Sequence, residues 1–216
     1  MSAAPVLAGL ELDTLTELVN LGVSSAATNL SMLVREEVLL SVPKVCVVTR
    51  EEAIANLRER HDVRRLVGIH QDFHGDIRGR ALLIFPEARS MELIRALVGP
   101  DLSLDDVMEL EQEALAETGN ILLNGCLSTL ANNLKRNLRI SLPEVIHGDG
   151  ADFFRPNSSG EERVLFIYIN FAVKHRDIQG FLAMILDLPS LVILKQLLDE
   201  YIERMTGPRP PATHVE

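Results

Sequence analysis

Two matching segments one hundred residues apart constrain this chain more than any other feature. Asp13-Thr-Leu-Thr-Glu17-Leu-Val-Asn20 recurs as Glu113-Ala-Leu-Ala-Glu117-Thr-Gly-Asn120. A proline follows each Asn after twenty-three positions, Pro43 in one case and Pro143 in the other. An isolated Glu-x-x-Asn arises by chance roughly once every few hundred residues at average composition. Two of them, in register with two prolines and inside two helical patterns, imply an internal duplication.

The duplication extends past the prolines. Asp76-Ile-Arg-Gly79-Arg-Ala-Leu-Leu-Ile-Phe-Pro86 aligns with Asp177-Ile-Gln-Gly180-Phe-Leu-Ala-Met-Ile-Leu-Asp-Leu-Pro189. Each run opens on a turn signal, continues as an apolar strand and meets a proline before a helical segment, Ser90 to Val98 or Ser190 to Arg204. The order predicted for each half is long helix, strand, strand, glycine turn, strand, short helix. Two copies of this length are too few and too long for a solenoid. They predict one pseudo-symmetric domain over residues 11–206, built from repeats 11–99 and 100–206. Residues 1–10 then form an N-terminal extension. The stretch 207–216 carries three prolines and reads as a disordered tail.

Bulk properties exclude several function classes. At 216 residues the chain can bury a sizeable core, and with aromatics at 4% and no Trp that core must be aliphatic. A net charge of −10 argues against nucleic acid, which requires concentrated Lys and Arg. The basic cluster of Lys135, Arg136 and Arg139 sits at a predicted helix end, where cations suit the helix dipole. No run approaches the ~18 apolar residues of a membrane span. Residues 1–10 lack a signal-peptide pattern, and Cys46 and Cys126 are two lone thiols. These features predict a cytoplasmic protein without membrane insertion.

Projected at 100° per residue, the first helix, from about Leu12 to Glu37, places Leu12, Leu15, Val19, Gly22, Val23, Ala26, Leu30 and Leu33 on one face. Asp13, Glu17, Asn20, Ser24 and Ser31 share the opposite stripe. The second helix, opened by a capping box at Ser103-Leu-Asp-Asp106, repeats this with Glu113, Glu117, Asn120, Asn124 and Ser128 opposite Leu115, Leu122, Cys126 and Leu130. Any amphipathic helix has such a polar face. Asn, however, is a mediocre helix former, because its side chain competes for backbone hydrogen bonds. Its recurrence three residues after Glu in both copies is a choice that stability does not explain.

The chemistry open to the pair is narrow. Glu and Asn at i, i+3 are neighbours on the helix surface. The carboxylate can grip a partner's cation, and the carboxamide offers both a donor and an acceptor. Such a group can orient a water for in-line attack without taking its proton, as a Gln does in GTPases. It needs a substrate that is already reactive and brings its own metal. The sequence offers no zinc-ligand spacing, arguable Ser-His-Asp order or phosphate-cradling glycine loop. His70 and His74 flank a predicted strand end and turn, and Cys126 reads as a core residue.

These residues resemble the signature of the CheC-type chemotaxis phosphatases, within the family that includes CheX and FliY. That signature reads Asp or Ser, three residues, Glu, two residues, Asn, and a proline a little over twenty positions on. Here it is Asp13, Glu17, Asn20 and Pro43, then Glu113, Glu117, Asn120 and Pro143, with Glu113 departing from Asp or Ser. The similarity runs from about residue 11 to 204. It implies an α/β (α+β) pseudo-two-fold fold, an antiparallel sheet covered by two long helices. It also implies a phosphatase that hydrolyses the phospho-aspartate of the receiver domain of CheY. By that resemblance Asn20 and Asn120 position the water, Glu17 and Glu117 meet the receiver's lysine, and Mg²⁺ is supplied by the receiver, not by this chain. It further implies CheD as a second partner. The alternative reading is a non-catalytic CheC-like protein, either a CheD-binding adaptor or a flagellar switch component.

Overall fold

The computed structural model describes residues 7–60, 65–98, 104–155, 162–173 and 176–207. The two long helices end alike. Helix α1 (Leu10–Val34) gives way to Arg35 at φ 55°, and helix α4 (Leu104–Leu134) to Lys135 at the same φ. A left-handed residue turns the chain out of the helix and so fixes its C-terminus. The same device one hundred residues apart is the duplication made visible in the backbone. It also explains why α1 stops short of the expected Glu37.

Seven strands follow the helices in two series: β1 (Val38–Val48), β2 (Leu66–Gly75) and β3 (Gly79–Pro86), then β4 (Leu138–Ile140), β5 (Glu144–Gly148), β6 (Glu162–Val173) and β7 (Arg176–Asp187). They form one antiparallel sheet in the order β1-β6-β7-β3-β2-β4, with β5 also paired to β2. The two halves meet at its centre, where β3 pairs with β7 through Leu82–Ala183 and Leu83–Leu182. Each half also lends an edge to the other. β1 lies on β6, while β4 and β5 lie on β2. A site built at either edge therefore draws on both halves.

The sheet is covered on two faces. On one, α1 and α4, with α3 (Glu87–Val98) and α6 (Leu188–Thr206), bury Leu15, Val23, Leu30, Leu115, Leu122 and Leu130 against Val67, Ile69, Phe73, Leu83, Ile167 and Leu182. Each such side chain contributes about 1.5–3 kcal/mol when removed from water. On the other face, α2 (Arg50–Arg60) and α5 (Gly150–Phe153) set Ala53, Leu57, Phe153 and Phe154 over Leu82, Ile84, Phe166 and Phe181. Gly68 makes room for this layer, since a Cβ there would stand 2.4 Å from the Phe153 ring.

The second layer corrects the predicted element order, which has no helix between the first two strands of each half. Helix α2 escapes the periodicity reading because nine of its eleven residues are Arg, Glu, Asn or Ala and only Ala53 and Leu57 are fully buried. Helix α5 is a single turn, capped reciprocally by Asp149 and Asp152. The turn expected at Asp177–Gly180 is also corrected. Those residues lie inside β7, with Gly180 opposite Ile169. Only the first copy turns near its glycine, between β2 and β3. Leu33, assigned to the core face, is 44% exposed, because Leu30 and Val34 occupy that face instead. The expected capping box at Ser103, the boundary between the repeats at 99 and 100, and the tail after Gly207 lie outside the described residues, as do residues 1–6 of the expected extension.

Candidate functional site

Helices α1 and α4 pack on one another at a crossing that admits no side chain. A Cβ on Gly22 would lie 2.8 Å from the Cys126 Cα and 3.1 Å from the Gly125 carbonyl oxygen. A Cβ on Gly125 would lie 2.8 Å from the Ala26 Cβ. As the residue number rises along α1 the partner's number falls along α4, so the chains run in opposite directions. The Glu-x-x-Asn pairs therefore flank the crossing as two separate sites on one helical layer.

The expected site residues divide by depth. Asp13, Glu17, Glu113 and Glu117 are exposed, whereas Asn20 and Asn120 are half-buried. The amides are thus seated in the surface, and the carboxylates stand out from it. That corrects a picture of both Asn residues on a wholly solvated stripe.

Asn120 is held by a network that the sequence reading did not anticipate. Gly119 places α4 directly on β2; a Cβ there would overlap Ile69 at 2.2 Å. Two residues along the same strand face is Gln71, which is fully buried. Its Nε2 donates to the Ser141 carbonyl at 2.9 Å and to Asn120 Oδ1 at 3.3 Å. Asn124 Nδ2 donates to the same Asn120 oxygen at 2.7 Å. The signal was present in the sequence, because Val67, Ile69 and Phe73 make an apolar alternation that Gln71 interrupts. A buried polar side chain in such a run is costly without a partner. It therefore marks a hydrogen-bonded site.

The first site is built differently. Register supplies the correspondence: His70 pairs with Glu144 and Tyr168 with Lys44, so Gln71 in β2 matches Ile169 in β6. Ser24 stands where α4 has Asn124, and Val19 where it has Gly119. Ile169 is buried and apolar. Asn20 makes no side-chain hydrogen bond among the described residues. The two copies share their outward chemistry and differ in what supports it.

The prolines sit at matching irregularities of the edge strands. Pro43 lies in β1 where the pairing with β6 shifts register between Ser41 and Lys44. Pro143 lies in the gap between β4 and β5. Proline lacks the N–H that a ladder needs, and edge bulges are where sheets accept it. In the second copy Ser141 bridges the gap, its N–H donating to the Asp72 carbonyl at 2.9 Å and its Oγ accepting from the Asp72 N–H at 3.0 Å. The prolines therefore sit at irregular sheet edges, and in the second copy that edge reaches Asn120 through Ser141 and Gln71. Leu142 projects from that edge, 85% exposed, where its counterpart Val42 is buried.

Other candidates resolve structurally. His70 and His74 both lie within β2, not at its flank, and His70 is buried beside Glu144, 3.4 Å away. Burial, helped by the Arg80 charge, lowers the His70 pKa from its ordinary value of 6.5. Among the described residues no group of three or more His, Cys, Asp or Glu is placed to hold a metal ion. Cys126 is buried in the helix crossing, where desolvation pushes its thiol up to about 12. Arg136 pairs with Glu200 at 3.1 Å and Asp76 at 3.6 Å. A cleft lined by Asp72, His74, Arg78, Arg80 and Asp187 contains none of the motif residues, and its arginines are engaged by Asp72 and Asp187. No helix among the described residues is long and apolar enough to cross a membrane.

Comparison with known proteins bears on this geometry. The family described as chemotaxis phosphatase CheX matches residues 67–168. The CheY-P phosphatase CheC of Bacillus subtilis is 30% identical over 138 residues, 62% of this chain and 65% of that protein. CheC1 of Halobacterium salinarum is 28% identical over 142 residues, 65% of this chain and 71% of that protein. Over these spans the chain is similar to the CheC-type phosphatases. Less than two thirds of the Bacillus CheC is spanned by the match. The CheC-type fold is matched more widely in structure. Thermotoga maritima FliY superposes with a TM-score of 0.69 at 19% identity, covering 93% of this chain and 99% of that one. The pseudo-two-fold antiparallel sheet under two long helices, expected from the CheC resemblance, is the fold observed.

Proposed function

We propose that this chain is a phosphatase of a phosphorylated chemotaxis response regulator, hydrolysing the phospho-aspartate of a CheY-like receiver. The observation that carries this reading is the paired construction of the helical layer. At two places a carboxylate stands in solvent one helical turn from a half-buried carboxamide.

The side chains fit that reaction and few others. A carboxamide is neither an acid nor a base at neutral pH, so it can position water without taking its proton. The substrate must then be activated already, and an aspartyl phosphate, as a mixed anhydride, is. Asn20 or Asn120 holds a water in line with the phosphorus-to-carboxylate bond. A new P–O bond forms as the old one breaks, the aspartate leaves as carboxylate, and the water's proton passes to phosphate or solvent. Glu17 and Glu117 stand where a lysine from the receiver can pair with them, which fixes the approach. Mg²⁺ held by the receiver would neutralise charge on the phosphoryl group. The exposed Leu142 adds apolar contact beside the second Asn. A CheD association is proposed on the family resemblance alone.

The test is the decay of a phosphorylated CheY-like receiver with and without this protein, in the presence of Mg²⁺. Catalytic acceleration at substoichiometric protein is the expected result. Binding without acceleration would support the non-catalytic adaptor instead.

A further inference from the structure

The two sites differ in which end of the Asn amide they offer to a substrate. The orientation of Gln71 follows from its partners. Ser141 contributes a backbone carbonyl, which can only accept, so the group 2.9 Å from it must be the Gln71 NH₂. The second hydrogen of that NH₂ points to Asn120, which must meet it with its oxygen at 3.3 Å. Asn124 then fills the other lone pair of the same oxygen at 2.7 Å. With both lone pairs occupied from within, Asn120 has only N–H donors left to present outward.

We propose that Gln71 is the positioning residue of the second site, fixing the Asn120 carboxamide with its oxygen inward and its NH₂ toward the reacting centre. This rests on the phosphatase reading given above. The chain of donors runs from Gln71, fixed by the Ser141 backbone, through Asn120, with Asn124 closing it. Gln71 is itself fully buried. It acts by removing the rotational freedom of Asn120, so that the water meets a donor in one place. A misplacement of about 1 Å in such a group can cost a large factor in turnover. At the first site Ile169 replaces Gln71 and Ser24 replaces Asn124, so Asn20 is free to turn either end toward the water. The second site is pre-set and the first adjustable.

Single-site backgrounds test this. Asn20→Ala leaves only the second site, and Asn120→Ala only the first; dephosphorylation of the receiver is measured in each with Gln71 intact. If the wild type does not accelerate decay, the phosphatase reading itself falls; if it does and neither variant lowers activity, Asn20 and Asn120 are not the working carboxamides, and the proposal falls with that assignment. Gln71→Met, which keeps volume and removes the donor, is then added to both. The expected result is a fall in kcat on the order of tenfold in the Asn20→Ala background with KM unchanged. In the Asn120→Ala background the first site should turn over as before. An unchanged kcat in the Asn20→Ala background overturns the proposal. If Gln71→Met impairs both backgrounds alike, the loss is one of folding, and Asn124→Ser, copying the first half, decides. It should lower kcat in the Asn20→Ala background alone, and equal turnover there overturns the proposal.

Discussion

The buried amide of Gln71 donates to the carboxamide oxygen of Asn120 across 3.3 Å, tying a strand of the first half to a helix of the second. Asn20 has no such tie. Asn120→Ala should therefore destabilise the fold by about 1–3 kcal/mol, because it leaves the inward-facing donors of Gln71 and Asn124 without their acceptor. Asn20→Ala should cost under about 0.5 kcal/mol, the usual range for a surface change. Urea unfolding of both variants checks the difference, and equal midpoints would show that the network carries no stability.

The helix crossing makes a separate prediction. Gly22→Val forces a side chain into the backbone of α4 at Gly125 and Cys126. Overpacking of this kind costs about 1–3 kcal/mol, and here the obstruction is backbone that cannot swing aside. A lowered melting temperature is expected together with weakened activity at both sites, since both are placed by this contact. Wild-type stability in the variant would mean that the two helices separate freely.

How far the sequence could be read depended on which side chains carried the pattern. Glu17, Asn20, Glu117 and Asn120 were legible because both copies repeat them on long helices with strong apolar backs. The strands with continuous apolar runs, such as Leu82–Phe85, were legible for the same reason. Helix α2 was not, because its charges hide the few buried positions. Gln71 showed only as a polar break in an apolar strand, because what it serves exists only once a distant helix is laid on it. That approach depends on Gly119, whose missing side chain cannot announce what it will meet. The turn misassigned at Asp177–Gly180 shows the limit of reading one copy through the other, since β7 extends through residues that turn in the first half.

Protonation of His70 should weaken the fold. Burial lowers its pKa below the ordinary 6.5, so the folded protein binds this proton less well than the unfolded chain does. The acidic groups facing it, Glu144 and Asp72, oppose the shift without cancelling it, and Arg80 reinforces it. The stabilising contribution is therefore present above pH 6.5 and is lost as the pH falls below it. Urea midpoints at pH 7.5 and pH 5.5 should differ more for the wild type than for His70→Phe. Identical pH dependence in the two proteins would remove His70 from the account.

Charge reversal at the exposed carboxylates separates binding from turnover. Glu17→Lys and Glu117→Lys should weaken association with the phospho-receiver and raise KM, because a like charge then faces the receiver's lysine. Both positions are exposed, so the fold should be unaffected. Affinity unchanged in both variants, measured by titration with a stable phospho-receiver analogue, would contradict the pairing.

The most direct measurement compares receiver dephosphorylation by the wild type with that by the Asn20→Ala, Asn120→Ala double variant, at equal folded concentration and saturating Mg²⁺. If the two carboxamides position the attacking water, the double variant should leave the phospho-receiver decaying at its unassisted rate while still binding it through Glu17 and Glu117. Full catalytic activity in the double variant would contradict the central claim.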